Sequence, residues 1–260
     1  MRVTFLGTGT STGVPVVGCR CRVCTSADPL NQRLRQSVLL ETNGKYALID
    51  TTPDLRMQLL RNPIPRLDFV LFTHSHSDHI MGLDDIRPFN FRQHEPVHAF
   101  ASGPTARAIR RAFSYIWDMN TQIGGGKPQL ELHEVHDAFT HEGTEIVPIP
   151  VTHGDWTILG YRIGAFAYIT DTNGIPDESL ALLRGVEVLA LDGLRPSPPH
   201  PTHFTIGEAI EAAARVGAKQ TYLIHLTHDI DHEPFNATLP PGVSLAYDGL
   251  RVELGDHSAP

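Results

Sequence analysis

The sequence predicts an α/β (α+β) chain built as two β-sheets packed face to face, with helices on the outside. Three observations carry that prediction. Short extended runs recur along the whole chain, helical patterns alternate with them in both halves, and no internal repeat or low-complexity tract interrupts the order. At 260 residues and 28.6 kDa the chain can bury a sizeable core. Residues 1–260 are read as one domain.

The extended runs come first at 3–6, which ends in Gly7, then at 37–40, 46–49 and 69–72; all are rich in aliphatic or β-branched residues and bounded by turn formers. Further runs follow at 97–101, 145–149, 158–163, 165–169, 186–191 and 220–224. A last pair, 243–247 and 250–254, is joined by Asp248-Gly249 and predicts a hairpin. Among the helical segments, 53–61 begins with Pro53 at a first helical position and places Leu55, Leu59 and Leu60 on one side. Residues 104–113 are Ala/Arg-rich, and 177–183 follow Pro176. Residues 205–216 start with Thr205 as N-cap and Glu208 three positions on, a capping box. The glycine-rich stretch 120–129 reads as a surface loop.

Composition removes several classes of function. Hydrophobic content of 41% and charged content of 19% fit a folded chain. With 21 Lys+Arg against 29 Asp+Glu the net charge is −8, which disfavours nucleic acid as a partner, because phosphate neutralisation needs an excess of cations. No apolar run approaches the ~18 residues of a membrane span. Residues 1–7 lack the apolar segment and cleavage site of a secretory signal, so a cytoplasmic location is the default expectation. What needs explaining is 15 histidines against 3 cysteines.

The densest histidine signal is His74-Ser75-His76-Ser77-Asp78-His79, directly after the apolar run 69–72. On extended backbone, side chains two apart face one way, so His74 and His76 can grip one ion. Ser77-Asp78 then offers an N-cap, and the turn into a helix would aim Asp78 and His79 at a second point nearby. Three later residues end apolar runs: His153, Asp171 and His225. A lone histidine at a strand end is ordinarily structural, so each of the three is a weak signal by itself.

His-x-His-x-Asp-His is the pattern of the metallo-β-lactamase superfamily, and the resemblance extends along most of the chain. It implies a four-layer αββα sandwich. It also implies that His74, His76 and His153 hold one divalent ion and that Asp78, His79 and His225 hold another, with Asp171 bridging. Asp50, otherwise a turn aspartate after a strand, matches an early aspartate of the superfamily that orients a ligand histidine. Two ions (Zn or Mn) roughly 3.5–4 Å apart can generate hydroxide at neutral pH and stabilise negative charge. Their charge outweighs two aspartates and a bridging hydroxide, leaving a net positive site suited to an anionic substrate.

Cys19, Cys21 and Cys24 lie within six residues. Three thiolates need a fourth tetrahedral donor, and His228, three residues past His225, is the best candidate for a structural zinc. The odd offset on extended chain points the two histidines to opposite sides, so each can serve a different metal. This Cys-x-Cys-x-x-Cys, with Gly7-Thr8-Gly9 and Asp248-Gly249, resembles the branch typified by phosphoribosyl 1,2-cyclic phosphate phosphodiesterase. In phosphodiesterases of that group a histidine before the helix that starts here at Thr205 contacts phosphate and protonates the leaving oxygen. His203 is the match, and an imidazole suits acid–base work near neutrality. Its rival His200 is expected to be idle.

The resemblance therefore implies a phosphodiesterase acting on a small cyclic or nucleotide-like phosphodiester. A metal-bridging hydroxide attacks phosphorus, His203 serves the leaving group, and Asp78 helps orient the nucleophile. Dimers are common among the relatives, so it also admits a homodimer. Three rivals share the core: a tRNA 3′ processing endonuclease, a β-lactam or thioester hydrolase, and a non-catalytic metal- or ligand-binding member of the fold. The short 120–129 stretch is a poor tRNA arm, and the full ligand set argues against a non-catalytic member. Arg110, Arg111, Tyr115 and Trp117 are explained by ordinary packing. His133, His136 and His141 lack an acidic or thiol companion set in sequence and are read as surface.

Overall fold

The extended runs pair into two seven-stranded sheets in the computed structural model, which describes residues 1–121 and 126–255. The first sheet holds β1 (Arg2–Gly7), β2 (Ser37–Thr42), β3 (Lys45–Ile49), β4 (Phe69–Leu71), β5 (Val97–Ala101), β6 (Leu130–Glu134) and β14 (Arg251–Glu253). Their spatial order is β14-β1-β2-β3-β4-β5-β6. The second holds β7 (Phe139–His141), β8 (Thr144–His153), β9 (Trp156–Ile163), β10 (Phe166–Ile169), β11 (Val188–Asp192), β12 (Gln220–Ile224) and β13 (Val243–Leu245), in the order β13-β12-β11-β10-β9-β8-β7. Each sheet has a parallel half, β3 to β6 in one and β10 to β13 in the other.

Strands buried on both faces read as continuous apolar runs, because each face meets a different layer. In β10, Phe166 and Tyr168 enter the core between the sheets, while Ala167 and Ile169 join the core under the outer helices. Val188 and Ala190 of β11 divide from Leu189 and Leu191 in the same way. The outer layer on the first sheet uses α1 (Leu55–Arg61), α3 (Arg87–Gln93) and α4 (Gly103–Ala112), which contribute Leu55, Phe89, Ala106 and Ile109. On the second sheet α5 (Asp177–Leu182) and α6 (Ile206–Val216) lie outside, with Ile206, Ala209 and Ala212 buried. This is the expected αββα sandwich.

Element boundaries follow local hydrogen bonding. The capping box forms as expected: Thr205 accepts from the Glu208 N–H, and the Thr205 N–H donates to the Glu208 carboxylate at 2.8 Å. α1 starts at Leu55, not at Pro53, and Asp54 does not cap it because its carboxylate is taken by Arg35 at 3.1 Å. α4 starts one residue early, since the Ser102 hydroxyl accepts from the Thr105 N–H. The packing expected of the aromatic residues is present: Arg110 stacks over Trp117, and Tyr115 bonds Asp84. Of the glycine-rich stretch 120–129, residues 122–125 lie outside the described residues.

The expected C-terminal hairpin does not form. β13 pairs parallel with β12 in the second sheet, and β14 pairs antiparallel with β1 in the first. Asp248-Gly249 crosses between the sheets instead of reversing the chain. The Gly249 N–H donates to the Phe5 carbonyl at 2.7 Å, and Asp248 accepts from the Thr8 hydroxyl (2.9 Å) and the Leu34 N–H (2.8 Å). The Asp-Gly signal was genuine turn chemistry, but each flanking strand gains more by extending a sheet than by pairing with its neighbour.

Burial pushes the Asp248 carboxyl up to about 7. Between pH about 4 and about 7 the folded state therefore keeps a proton that the unfolded chain has released, so this group's contribution to stability falls as pH rises through that window. Asp248→Asn is expected to gain on the wild type by about 1 kcal/mol from pH 5 to pH 8, a value discounted for partial exposure. Thermal unfolding of both proteins across that range checks it; parallel curves would refute it.

Candidate metal centre

The chemistry-bearing residues collect at the carboxyl ends of the parallel strands of both sheets and of the antiparallel β8, where an open α/β edge leaves a crevice. Asp50 follows β3, and the motif 74–79 follows β4. Asp171 follows β10, Asp192 ends β11, His225 follows β12 and His153 ends β8. Asp50, Asp171 and His225 adopt left-handed backbone, with φ of 65°, 52° and 62°. Side chains other than glycine seldom adopt that region, although Asp and His tolerate it better than most. Here it bends the strand end so that the side chain turns back into the crevice. It also corrects the reason given for separating His225 from His228: the segment is not extended but bent at His225.

The motif itself folds into a short helix, α2 (Ser77–Ile80). Its N-cap position is His76 and makes no side-chain cap bond, so the expected Ser77-Asp78 cap is absent. Backbone bonds hold the turn in place. The Thr51 N–H donates to the His79 carbonyl (2.8 Å) and the Gly82 N–H to the Thr51 carbonyl (2.9 Å). A Cβ at Gly82 would lie 1.9 Å from the Thr52 carbonyl oxygen, so only glycine permits this approach.

The structure brings all seven expected ligand residues together in two groups that share one residue. His74, His76, His153 and Asp171 form one, and Asp78, His79, Asp171 and His225 form the other, with donor atoms in each within 4.8 Å of one another. Most of the imidazoles are fixed from behind through Nδ1, leaving Nε2 toward the centre. His79 Nδ1 meets Asp50 at 2.7 Å, His74 Nδ1 the Thr73 hydroxyl at 3.0 Å, and His153 Nδ1 the Thr202 carbonyl at 2.9 Å. Asp50 in turn accepts from the Thr73 N–H at 2.9 Å, which places it in the orienting position expected of it.

Asp171, 2% exposed, is the hub. Its oxygens lie 3.4 Å from His79 Nε2, 3.4 Å from His225 Nε2 and 3.9 Å from His74 Nε2. The Gln36 amide donates to it at 2.7 Å. Burial would raise the Asp171 carboxyl, but His225 and His79 outweigh it and hold it well below the usual range. Burial pushes His74 well below its ordinary value. At His79 the same desolvation is overcome by Asp171, Asp50 and Asp78, which hold it well above. The buried carboxylates thus call for positive charge at the centre. His79 Nε2 and His225 Nε2 are buried with no hydrogen-bond partner among the described residues. Inward-facing, unpartnered nitrogens around a shared carboxylate fit divalent metal ions, not a hydrogen-bonded core.

Two residues escaped the sequence reading. Asp192, fully buried, presents Oδ2 to His203 Nδ1 at 3.2 Å and Oδ1 to His225 Nδ1 at 3.4 Å. Gln36 orients Asp171. Asp192 had a signal, since it ends an apolar run as Asp171 does; Gln36 had none. His203 stacks on His225 with ring centroids 4.6 Å apart, and its Nε2 lies 4.0 Å from Asp171. His200, expected to be idle, packs 4.9 Å from the His203 ring and lines the cavity, where its Nδ1 meets the Thr202 hydroxyl at 3.1 Å. That open cavity is about 650 Å³ and is walled by Thr10, Ser11, Thr12 and the half-buried Arg195.

The cysteine cluster closes separately. Cys19, Cys21 and Cys24 place their sulfurs 3.3, 3.4 and 3.4 Å from His228 Nδ1. A tetrahedral zinc with its usual sulfur and nitrogen bond lengths separates those atoms by about 3.5 Å. Backbone N–H groups of Val16 and Cys24 donate to Cys24 and Cys21 sulfurs. The bond from the Cys24 N–H leads the effects that lower the Cys21 thiol to about 6, whereas burial pushes the Cys24 thiol up to about 11.

The family described as "Beta-lactamase superfamily domain" matches residues 45–226, which span the motif and every strand-end ligand. The chain belongs to the metallo-β-lactamase superfamily. A crystal structure described as a new diphosphatase from the PhnP family is 44% identical, covers 98% of each chain and superposes with a TM-score of 0.91. Zn(2+)-bound PqqB from Methylobacterium extorquens shares the superfamily fold at 22% identity, with 98% of this chain and 100% of that one covered and a TM-score of 0.78. A protein of Porphyromonas gingivalis named octanoyltransferase is 40% identical over 260 residues. The match takes in 98% of this chain but 52% of that protein, so the chain spans about half the length of this relative. Among the described residues no helix is long and apolar enough to cross a membrane.

Proposed function

We propose that this metal-dependent hydrolase cleaves a small phosphodiester at a dinuclear centre. His74, His76 and His153 would hold one ion, Asp78, His79 and His225 a second, and Asp171 would serve both. A structural zinc sits on Cys19, Cys21, Cys24 and His228. The observation that carries the reading is the pairing of a shared carboxylate with a separately anchored histidine: His203 borders the centre but is fixed by Asp192 and belongs to neither four-residue group.

Bound there, two divalent ions supply a nucleophile at neutral pH and offset charge building on the phosphoryl oxygens. The protein's own groups do the rest. Asp192 receives His203 Nδ1 and so directs Nε2 toward the cavity, where it can hand a proton to the departing oxygen. Asp78, in the first turn of α2, lines the same cavity and would help orient the nucleophile. Arg195, in the cavity wall, supplies a cation for a second anionic group of the substrate.

A phosphoanhydride is the second reading, favoured by the 44% identity to the structure described as a diphosphatase. Both are phosphoryl-transfer reactions. The test is turnover by metal-replete protein of bis-p-nitrophenyl phosphate, a panel of cyclic phosphates and a nucleoside diphosphate. Esters above anhydride support the first reading, and the reverse supports the second. Cleavage confined to precursor tRNA, nitrocefin or a thioester would overturn both.

A further inference from the structure

β5 and β6 run parallel, with His98 opposite Glu131 and Phe100 opposite His133. Glu131 and His133 are two apart on one strand and so share a face. The register that joins these strands brings His98, distant in sequence, against Glu131 and His133, which already stand two apart, so the exposed pair on β6 gains a second imidazole. His98 Nδ1 lies 3.1 Å from His133 Nε2 and 3.4 Å from a Glu131 carboxylate oxygen, and the three donors fall within 4.8 Å of one another. Ligand atoms on a tetrahedral ion with Zn–N and Zn–O bonds of about 2.0–2.1 Å are about 3.3 Å apart. The two measured separations bracket that value.

The surroundings support a ligand site. Glu131 and His133 are exposed, so an ion can reach them. Phe100 stacks on His133 at 5.1 Å and restrains the ring. From the facing edge strand β7, His141 packs 4.8 Å from the His98 ring, and its Nε2 is buried with no hydrogen-bond partner among the described residues. His98 is paired with Phe69, the first residue of β4, whereas the candidate centre follows the last. Through Phe100, His133 lies level with Leu71, so the cluster is set apart by its place at the β5–β6 edge of the sheet, and it shares no residue with either group described above.

We propose that His98, Glu131 and His133 bind a further divalent transition-metal ion, independent of the active centre and of the thiolate cluster. Two imidazoles and one carboxylate favour Zn, Cu, Ni or Co over Mg or Ca. An ion there would tie β5 to β6 at the open edge of the first sheet.

The test is zinc content per chain after dialysis of the holoprotein against micromolar ZnCl2, for wild type, His98→Ala, His133→Ala and Glu131→Gln. Wild type is expected to hold one ion more than either histidine variant, with hydrolytic activity equal in all four. Glu131→Gln, at an exposed position that spares the fold, is expected to bind the extra ion about tenfold or more weakly. Equal zinc content in all four, or an extra ion that survives His98→Ala and His133→Ala together, overturns the proposal. A histidine variant that unfolds leaves the decision to Glu131→Gln, for which unchanged affinity is the overturning result.

Discussion

Asp171→Ala is expected to reduce turnover to background and to empty the dinuclear centre, while the zinc on Cys19, Cys21, Cys24 and His228 stays bound. The residue is the only member common to both ligand groups, and it supplies charge that His74, His79 and His225 all face. Losing an outer partner of a ligand costs about 10–100-fold in metal affinity. Losing a buried carboxylate shared by two ions costs more than that at each position. The thiolate cluster contains no residue of either group, so it is unaffected. Elemental analysis and turnover, measured on the same preparation, decide it. Loss of every metal together would mean that the two clusters are not independent. Asp171→Asn is expected to behave nearly as badly, since it keeps the shape but not the charge.

His203→Ala is expected to lower kcat by about 10²–10⁴-fold for a substrate with an alkoxide leaving group, with metal content unchanged. The reason is positional: His203 Nδ1 is held by Asp192, and its Nε2 stands 4.0 Å from Asp171, beside the centre. A leaving group such as p-nitrophenolate departs without a proton, so the variant should lose much less activity on its esters. The ratio of the two losses is the readout. Equal losses on both substrates, or a fall in metal content, would assign His203 to metal binding or to structure instead of proton transfer.

The sequence exposed those parts of the site whose logic is local. Residues 74–79 carry four donors within six positions, two before a short helix and two in its first turn, so the spacing alone predicts convergence. His153, Asp171 and His225 each stop an apolar strand, a weak sign alone, and were legible because they fall in the order that the superfamily resemblance implies. Asp192 obeys the same rule but was not separated from an ordinary strand end, because its partners, His203 and His225, are named only by the fold. The Asp248-Gly249 hairpin failed for a related reason. Turn propensity reports what four residues favour, whereas the choice between a neighbour and a sheet edge is made by β12 and β1, which are distant in sequence. Strand alternation sets Glu131 beside His133, but only the parallel register of β5 and β6, which no local pattern encodes, brings His98 to them.

The sandwich divides the active centre along the chain. Asp50, His74, His76, Asp78 and His79 come from the first sheet, while His153, Asp171, Asp192, His203 and His225 come from the second and its loops. Neither sheet alone presents a four-donor group, since both groups draw on both sheets. A complete four-donor group would therefore form only once one sheet has docked on the other. Metal uptake becomes a clock for assembly: a pulse of metal given to refolding protein would be retained only by molecules whose two sheets have already met.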